Sequence, residues 1–199
     1  MSIFEGFYTQ EELRNLGFKS VGTEVYVSKK TSFYNIGNIS IGNNVRIDDY
    51  CHMSGNITIG NYVHIAPFCS IVSGKYKVIM KDFSGLSSRC MVYATSDDYS
   101  GEYLTNPMLP MKYRHIVGGD VIFEKHSLTG TGSTVLPGVR LAEGSCAGSM
   151  SLVNKSLEPW SIYVGIPCKK LKDRSKKIIL LEREFLNVCS NSEGEIQCY

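Results

Sequence analysis

Residues 41–71 read IGNNVR IDDYCH MSGNIT IGNYVH IAPFCS I. Cut into sixes, every block opens on an aliphatic side chain: Ile41, Ile47, Met53, Ile59, Ile65 and Ile71. The fifth place is apolar or small as well, with Val45, Cys51, Ile57, Val63 and Cys69. A helix brings its buried face round every ~3.6 residues and a strand every ~2, so neither holds this register. A short extended segment followed by a turn does hold it, and three such segments close a triangular coil of ~18 residues. The fold class expected is all-β, a parallel β-helix.

Working outward, residues 21–40 make a first coil with a longer third side, and residues 41–58 a second. Residues 59–79 make a third, with an irregular corner at SGKYKV, and residues 80–97 a fourth. The period then stops. Residues 98–122, DYSGEYLTNPMLPMKYRHIVGGDVI, carry two prolines, three tyrosines and no alternation, and read as a loop leaving the coil. Such a long loop in a compact domain is usually functional or disordered. The repeat resumes as FEKHSL TGTGST VLPGVR LAEGSC AGSMSL VNKSLE, with Ser127, Ser133, Val139, Ser145, Ser151 and Leu157 in fifth place. About six coils are expected in all. Glycines at second and fourth places read as corners that need positive φ or close backbone approach.

The ends differ from the middle. Thr9 with Glu12 three residues on is a capping box, so a short helix ending near Gly17 is expected. Beyond Pro159 the pattern lapses, and Ile178, Leu181 and Phe185 fall at helical spacing for a docked helix, with a frayed end after it. The expected organisation is an N-terminal helical segment (residues 1–20), a β-helix domain (21–170, with the loop 98–122), and a C-terminal helix and tail (171–199).

A net charge of +2 gives no reason to expect nucleic acid or an anionic membrane as partner. No apolar run approaches the ~18 residues of a membrane span, and MSIFEGFYTQEELRN lacks the positive start of a signal peptide. The cytoplasm is the expected compartment. The seven cysteines include no C-x-x-C pair, and three stand in inward places, so they read as reduced structural thiols.

The segments IGNYVHIAPFCSI, VYATSD, TGTGSTVLPGV, SMSLVNKS and VGIPCKKLK give the chain, from about residue 9 to 172, a marked resemblance. It resembles the hexapeptide-repeat acyltransferases with a left-handed parallel β-helix, especially the galactoside, maltose and xenobiotic acetyltransferase branch. The resemblance implies a homotrimer with active sites between neighbouring prisms, acetyl-CoA along the upper coils, and a loop closing over the acceptor. It further implies an acetyl-CoA-dependent acetyltransferase acting on a carbohydrate in surface-glycan biosynthesis. The acceptor is a sugar hydroxyl or the amine of a nucleotide-linked amino sugar. An amine needs less activation than a hydroxyl.

Acyl transfer calls for a group to take the acceptor proton and donors for the oxyanion. In galactoside-type relatives a histidine ends the block before the long loop. Here that place holds Asp97, a candidate base beside Asp98. His64, a corner residue by its place in the block, and His126, on the coil after the loop, are rival bases. His115 in the loop is an acceptor candidate, and His52 a further corner histidine. Their alternative is plain surface histidine, and none shows metal spacing. Asp48 matches an acceptor-binding place of the relatives, and Ser87 holds the same place in a higher coil. Tyr99, Tyr103 and Tyr113 suit stacking on a sugar or base. For acetyl-CoA the carry-over is to Thr131, Ser149, Asn154 and Lys155. Lys169, Lys170 and Lys172 add positive charge for the coenzyme phosphates. The competing readings are a non-catalytic β-helix scaffold, and a carbonic-anhydrase-like metal enzyme, which needs three histidines converging between subunits where His52 and His64, one coil apart, leave no clear third.

Overall fold

The computed structural model of the chain describes residues 5–191. Its centre is a three-sided parallel β-helix. The first face stacks Val25–Val27, Val45–Ile47, His64–Ile65, Gly85–Leu86, Leu128–Thr129, Cys146–Ala147 and Ser161–Gly165. The second stacks Ser32–Tyr34, the leading halves of His52–Ile59 and Ser70–Met80, then Met91–Tyr93, Thr134–Val135 and Leu152–Val153. The third stacks Ser20–Val21, Ile39–Ile41, the trailing halves of the same two long strands, Val121–Phe123 and Arg140–Leu141.

The six-residue register is the packing register. Ile41 pairs with Ile59, Ile47 with Ile65, and Met53 with Ile71, each one coil above the last. Ile47, Met53, Ile65 and Ile71 are wholly buried. Burial of each such side chain stabilises the column by roughly 1.5–3 kcal/mol. Cys51, Cys69 and Cys90 are buried in successive coils, and the six described cysteines are all free.

Three expectations need adjusting. The first face carries seven rungs, not six, because Ser161–Gly165 adds a turn beyond Pro159, where the hexapeptide pattern has lapsed. That rung is held by parallel pairing to Cys146–Ala147 and antiparallel pairing to Cys168–Asp173. The inserted loop begins as a ribbon, since Thr95–Asp97 pairs antiparallel with Ile116–Gly118. The coil is regained at Val121, which pairs with Val78 and is buried.

Positive φ at the corners is mostly not glycine's work. Asn44, Tyr50, Tyr62, Phe68, Phe83, Arg89, His126, Met150 and Trp160 all adopt it. This conformation costs about 1–2 kcal/mol per residue. It is offset where the N–H bonds a carbonyl one coil below, as Tyr62 does to Asn43 and Phe83 to Asn61, and where the rings stack (Tyr62 on Phe83, 4.8 Å). Gly42 is needed for another reason: a Cβ there would lie 2.6 Å from the carbonyl oxygen of Gly60.

Helix α1 (Gln10–Asn15) carries the expected capping box and buries Leu13 against the end of the column. Helix α2 (Lys177–Asn191) packs along the corner of the column at Tyr62, Phe83 and His126 through Phe185 and Glu182. The frayed end expected beyond it lies outside the described residues. No described helix is long and apolar enough to cross a membrane.

Candidate active site

The antiparallel ribbon leaves the prism at the corner between the second and third faces, and its base roofs a cleft of about 700 Å³. Asp97, Asp98 and Tyr99 form one wall, Tyr93, Thr134 and Leu136 line it from the prism, and Asn154 reaches it from the last coil. Four residues singled out in the sequence therefore meet here. Asp97 is bound by Arg114 (Nη2 to Oδ1, 3.1 Å) across the ribbon, and Asp98 faces His115 (Oδ2 to Nδ1, 3.0 Å). The Ser100 side chain first, then His115 and the Ser100 amide 2.6 Å away, hold the Asp98 carboxyl down to about 2. Tyr103 packs on His115 with ring centres 5.0 Å apart. Lys155 sits beside Asn154, exposed at the same corner.

A second group gathers at the corner between the first and second faces. Backbone bonding from coil to coil places Asp48, Ala66, Ser87, Gly130 and Gly148 in one column. Thr131 and Ser149 stand exposed one residue further round. Asp48 is not a free acceptor contact, because Arg46 and His64 each hold one of its oxygens at 2.7 Å. His64 lies on a strand of the first face rather than at a corner. His52 opens a strand on the second face and bonds Ser70. His52 and His64 thus stand on different faces of the prism.

His126 is at the third corner, so it does not reach back to the cleft. It is almost buried, stacked on Phe83 and near Trp160, with Nε2 2.8 Å from Glu182 of α2. Its role is to dock α2, and a sequence alone cannot show which way a corner residue faces. Lys170 is taken up by Glu158 and Asp173, while Lys169 and Lys172 are exposed on Cys168–Asp173. Sequence reading missed Tyr93, Leu136 and Arg114. The first two follow from the coil register once the ribbon is placed. Arg114 does not, because the pairing of residues 95–97 with 116–118 carries no hexapeptide signal.

A column of hexapeptide coils with an arm over an acidic cleft at one edge defines the hexapeptide-repeat transferases. The family of bacterial transferase hexapeptide proteins (six repeats) matches residues 38–73. The chain is 48% identical over 176 residues to a dTDP-4-amino-4,6-dideoxy-D-glucose acyltransferase of Escherichia coli, covering 87% of this chain and 92% of that one. It superposes on AntD, an N-acyltransferase from Bacillus cereus in complex with dTDP and 3-hydroxybutyryl-CoA, at TM-score 0.92 and 49% identity over 94% of this chain and 99% of that one. AntD has also been solved with a serine replaced, in complex with dTDP-4-amino-4,6-dideoxyglucose and coenzyme A, and with an aspartate ten residues further on replaced. The chain belongs to the hexapeptide-repeat acyltransferases and acts on a carbohydrate acceptor.

Proposed function

We propose that the chain joins the acyl group of a CoA thioester to the amine of a dTDP-linked 4-amino-4,6-dideoxyhexose. Acetyl-CoA is the simplest donor. The observation that carries this reading is Asp97, a carboxylate in the cleft at the place where a hydroxyl-acylating relative would carry histidine. An amine is a nucleophile once it has lost one proton, so it needs orientation more than a strong base. Its nitrogen attacks the thioester carbonyl, the C–N bond forms, and the C–S bond breaks. The sulfur leaves with the electron pair and ends as free thiol on taking up the proton that the nitrogen loses. Asp97 accepts a hydrogen bond from the amine and turns its lone pair toward the thioester.

Ser87 stands ten residues before Asp97, the spacing of the serine and aspartate replaced in AntD. Ser88 and Asp98 share that spacing, but both Asp98 oxygens are engaged, by the Ser100 amide and His115, whereas Arg114 takes only Oδ1 of Asp97. Within one chain Ser87 and Asp97 are separated by the whole second face. A site using both joins two copies, which supports the homotrimer implied by the resemblance. The coenzyme then lies along the upper coils near Thr131 and Ser149, with Asn154, Lys155 and Lys172 toward its phosphates.

Release of thiol from acetyl-CoA, followed with the dTDP-linked amino sugar and with simple sugars, tests this. Turnover with the amino sugar is expected, falling by on the order of 100-fold in Asp97→Asn. A mixture of Ser87→Ala and Asp97→Asn chains refolded together should regain part of the activity. Turnover with sugar hydroxyls alone would sink the amine reading, and failure to complement would place the site within one chain.

A further inference from the structure

We propose that Arg114 is a positioning residue for acyl transfer, holding the aim of the Asp97 carboxylate toward the acceptor. This inference deepens the reading above and rests on it. Successive residues of a strand face opposite sides, and the two acids of the arm have correspondingly different partners. Asp98 pairs with His115, whose side chain is 51% exposed, whereas Asp97 pairs with Arg114, whose side chain is 11% exposed. The inward partner is thus a guanidinium, whose planar fork suits a carboxylate, and the outward one is an imidazole.

The arm is folded so as to deliver this side chain. A 3-10 turn, Met111–Tyr113, ends with the Arg114 amide bonding the Met111 carbonyl, and Arg114 itself takes up the extended conformation that begins the return strand. Leu104 bonds the Tyr113 carbonyl and Asp98 bonds the His115 carbonyl, so the backbone on either side of Arg114 is fixed. On the cleft wall, Tyr93, Thr134, Leu136, Pro137 and Val117 bring no cation to Asp97. A carboxylate half-enclosed among such groups is costly without a partner, and Arg114 supplies the partner from behind while leaving the cleft side open. Nη2 carries that bond, and Nε of the same fork is buried with no hydrogen-bond partner among the described residues. Among the described residues, the side-chain hydrogen bond of this enclosed guanidinium goes to Asp97.

The experiment is a double-mutant cycle on the full-length protein with acetyl-CoA and the dTDP-linked amino sugar. Arg114→Gln is expected to lower kcat by on the order of tenfold with the KM for acetyl-CoA unchanged, and Arg114→Lys to recover part of the loss. In an Asp97→Asn background, Arg114→Gln should cost less than about twofold, since the group it acts through is gone. Equal losses in both backgrounds would overturn the proposal, because Arg114 would then serve the arm or touch substrate directly. Wild-type kcat in Arg114→Gln beside a crippled Asp97→Asn overturns it alone. Wild-type kcat in Asp97→Asn overturns the underlying reading and this inference together. If Arg114→Gln melts at a lower temperature, Arg114→Lys, which keeps the charge, decides between lost folding and lost positioning.

Discussion

His126 Nε2 and Glu182 Oε2 lie 2.8 Å apart with both side chains almost out of water, and Lys125 binds the other oxygen of the same carboxylate. One acid on α2 is thus gripped by two neighbouring residues of a single corner. Burial pushes the Glu182 carboxyl up, but Lys125 and His126 together outweigh it and hold it below its ordinary value. Its contribution is therefore present above the ordinary glutamate range and lost as the pH falls through the lowered value. Replacing Glu182 with Gln should weaken α2 docking by about 1.5–3 kcal/mol. Faster amide exchange confined to α2, with turnover intact, is the expected readout. Loss of turnover equal to that of Asp97→Asn would return His126 to the list of bases.

Gly144 makes room for the contact that shields this corner. Its φ is +66°, and a Cβ there would run into the ring of Trp160, which lies beside His126. Gly144→Ala should destabilise the protein by about 1–3 kcal/mol through crowding and backbone strain. Trp160 is the only tryptophan, so its emission should shift to the red in the variant. An unchanged spectrum and melting temperature would contradict the packing described.

Asp98 sets the acid limit of the arm. The bond from Ser100, with the His115 contact second, holds its carboxyl at about 2 against an ordinary 3.8. A depressed acid contributes stability above its unfolded value and loses it as the pH falls through the folded one. The arm should therefore stay ordered from neutral pH down to about 4 and loosen between there and about 2. Carbon NMR of the Asp98 carboxyl checks this directly, and a midpoint near 4 would be incompatible with the Ser100 bond.

The arm belongs to the acceptor if the proposed function is right. Replacing residues 99–113 with a short glycine linker should raise the acceptor KM by on the order of tenfold while changing that of acetyl-CoA little. The reverse split would assign the arm to the coenzyme.

Much of this was legible in the chain. The sixfold spacing of Ile41 through Ile71 gave the coils, the register and the inward cysteines, because a buried position repeats wherever the backbone geometry repeats. Thr9 and Glu12 marked α1 for the same reason, since a cap is a local bond between residues three apart. The cleft was half legible: Asp97, Asp98, Tyr99 and Asn154 were found, while Arg114 and Tyr93 were not. An ion pair spanning 17 residues of irregular chain leaves no period to read.

The sequence by itself determined the column, because its aliphatic period admits one way of burying the block-opening side chains. Tertiary structure alone decided the corners. Which edge of the prism a polar residue occupies depends on how many residues each side consumes, and the irregular turns between the second and third faces change that count. That is why His126 is part of the α2 lock, His64 a partner of Asp48, and Asp97 the acid in the cleft.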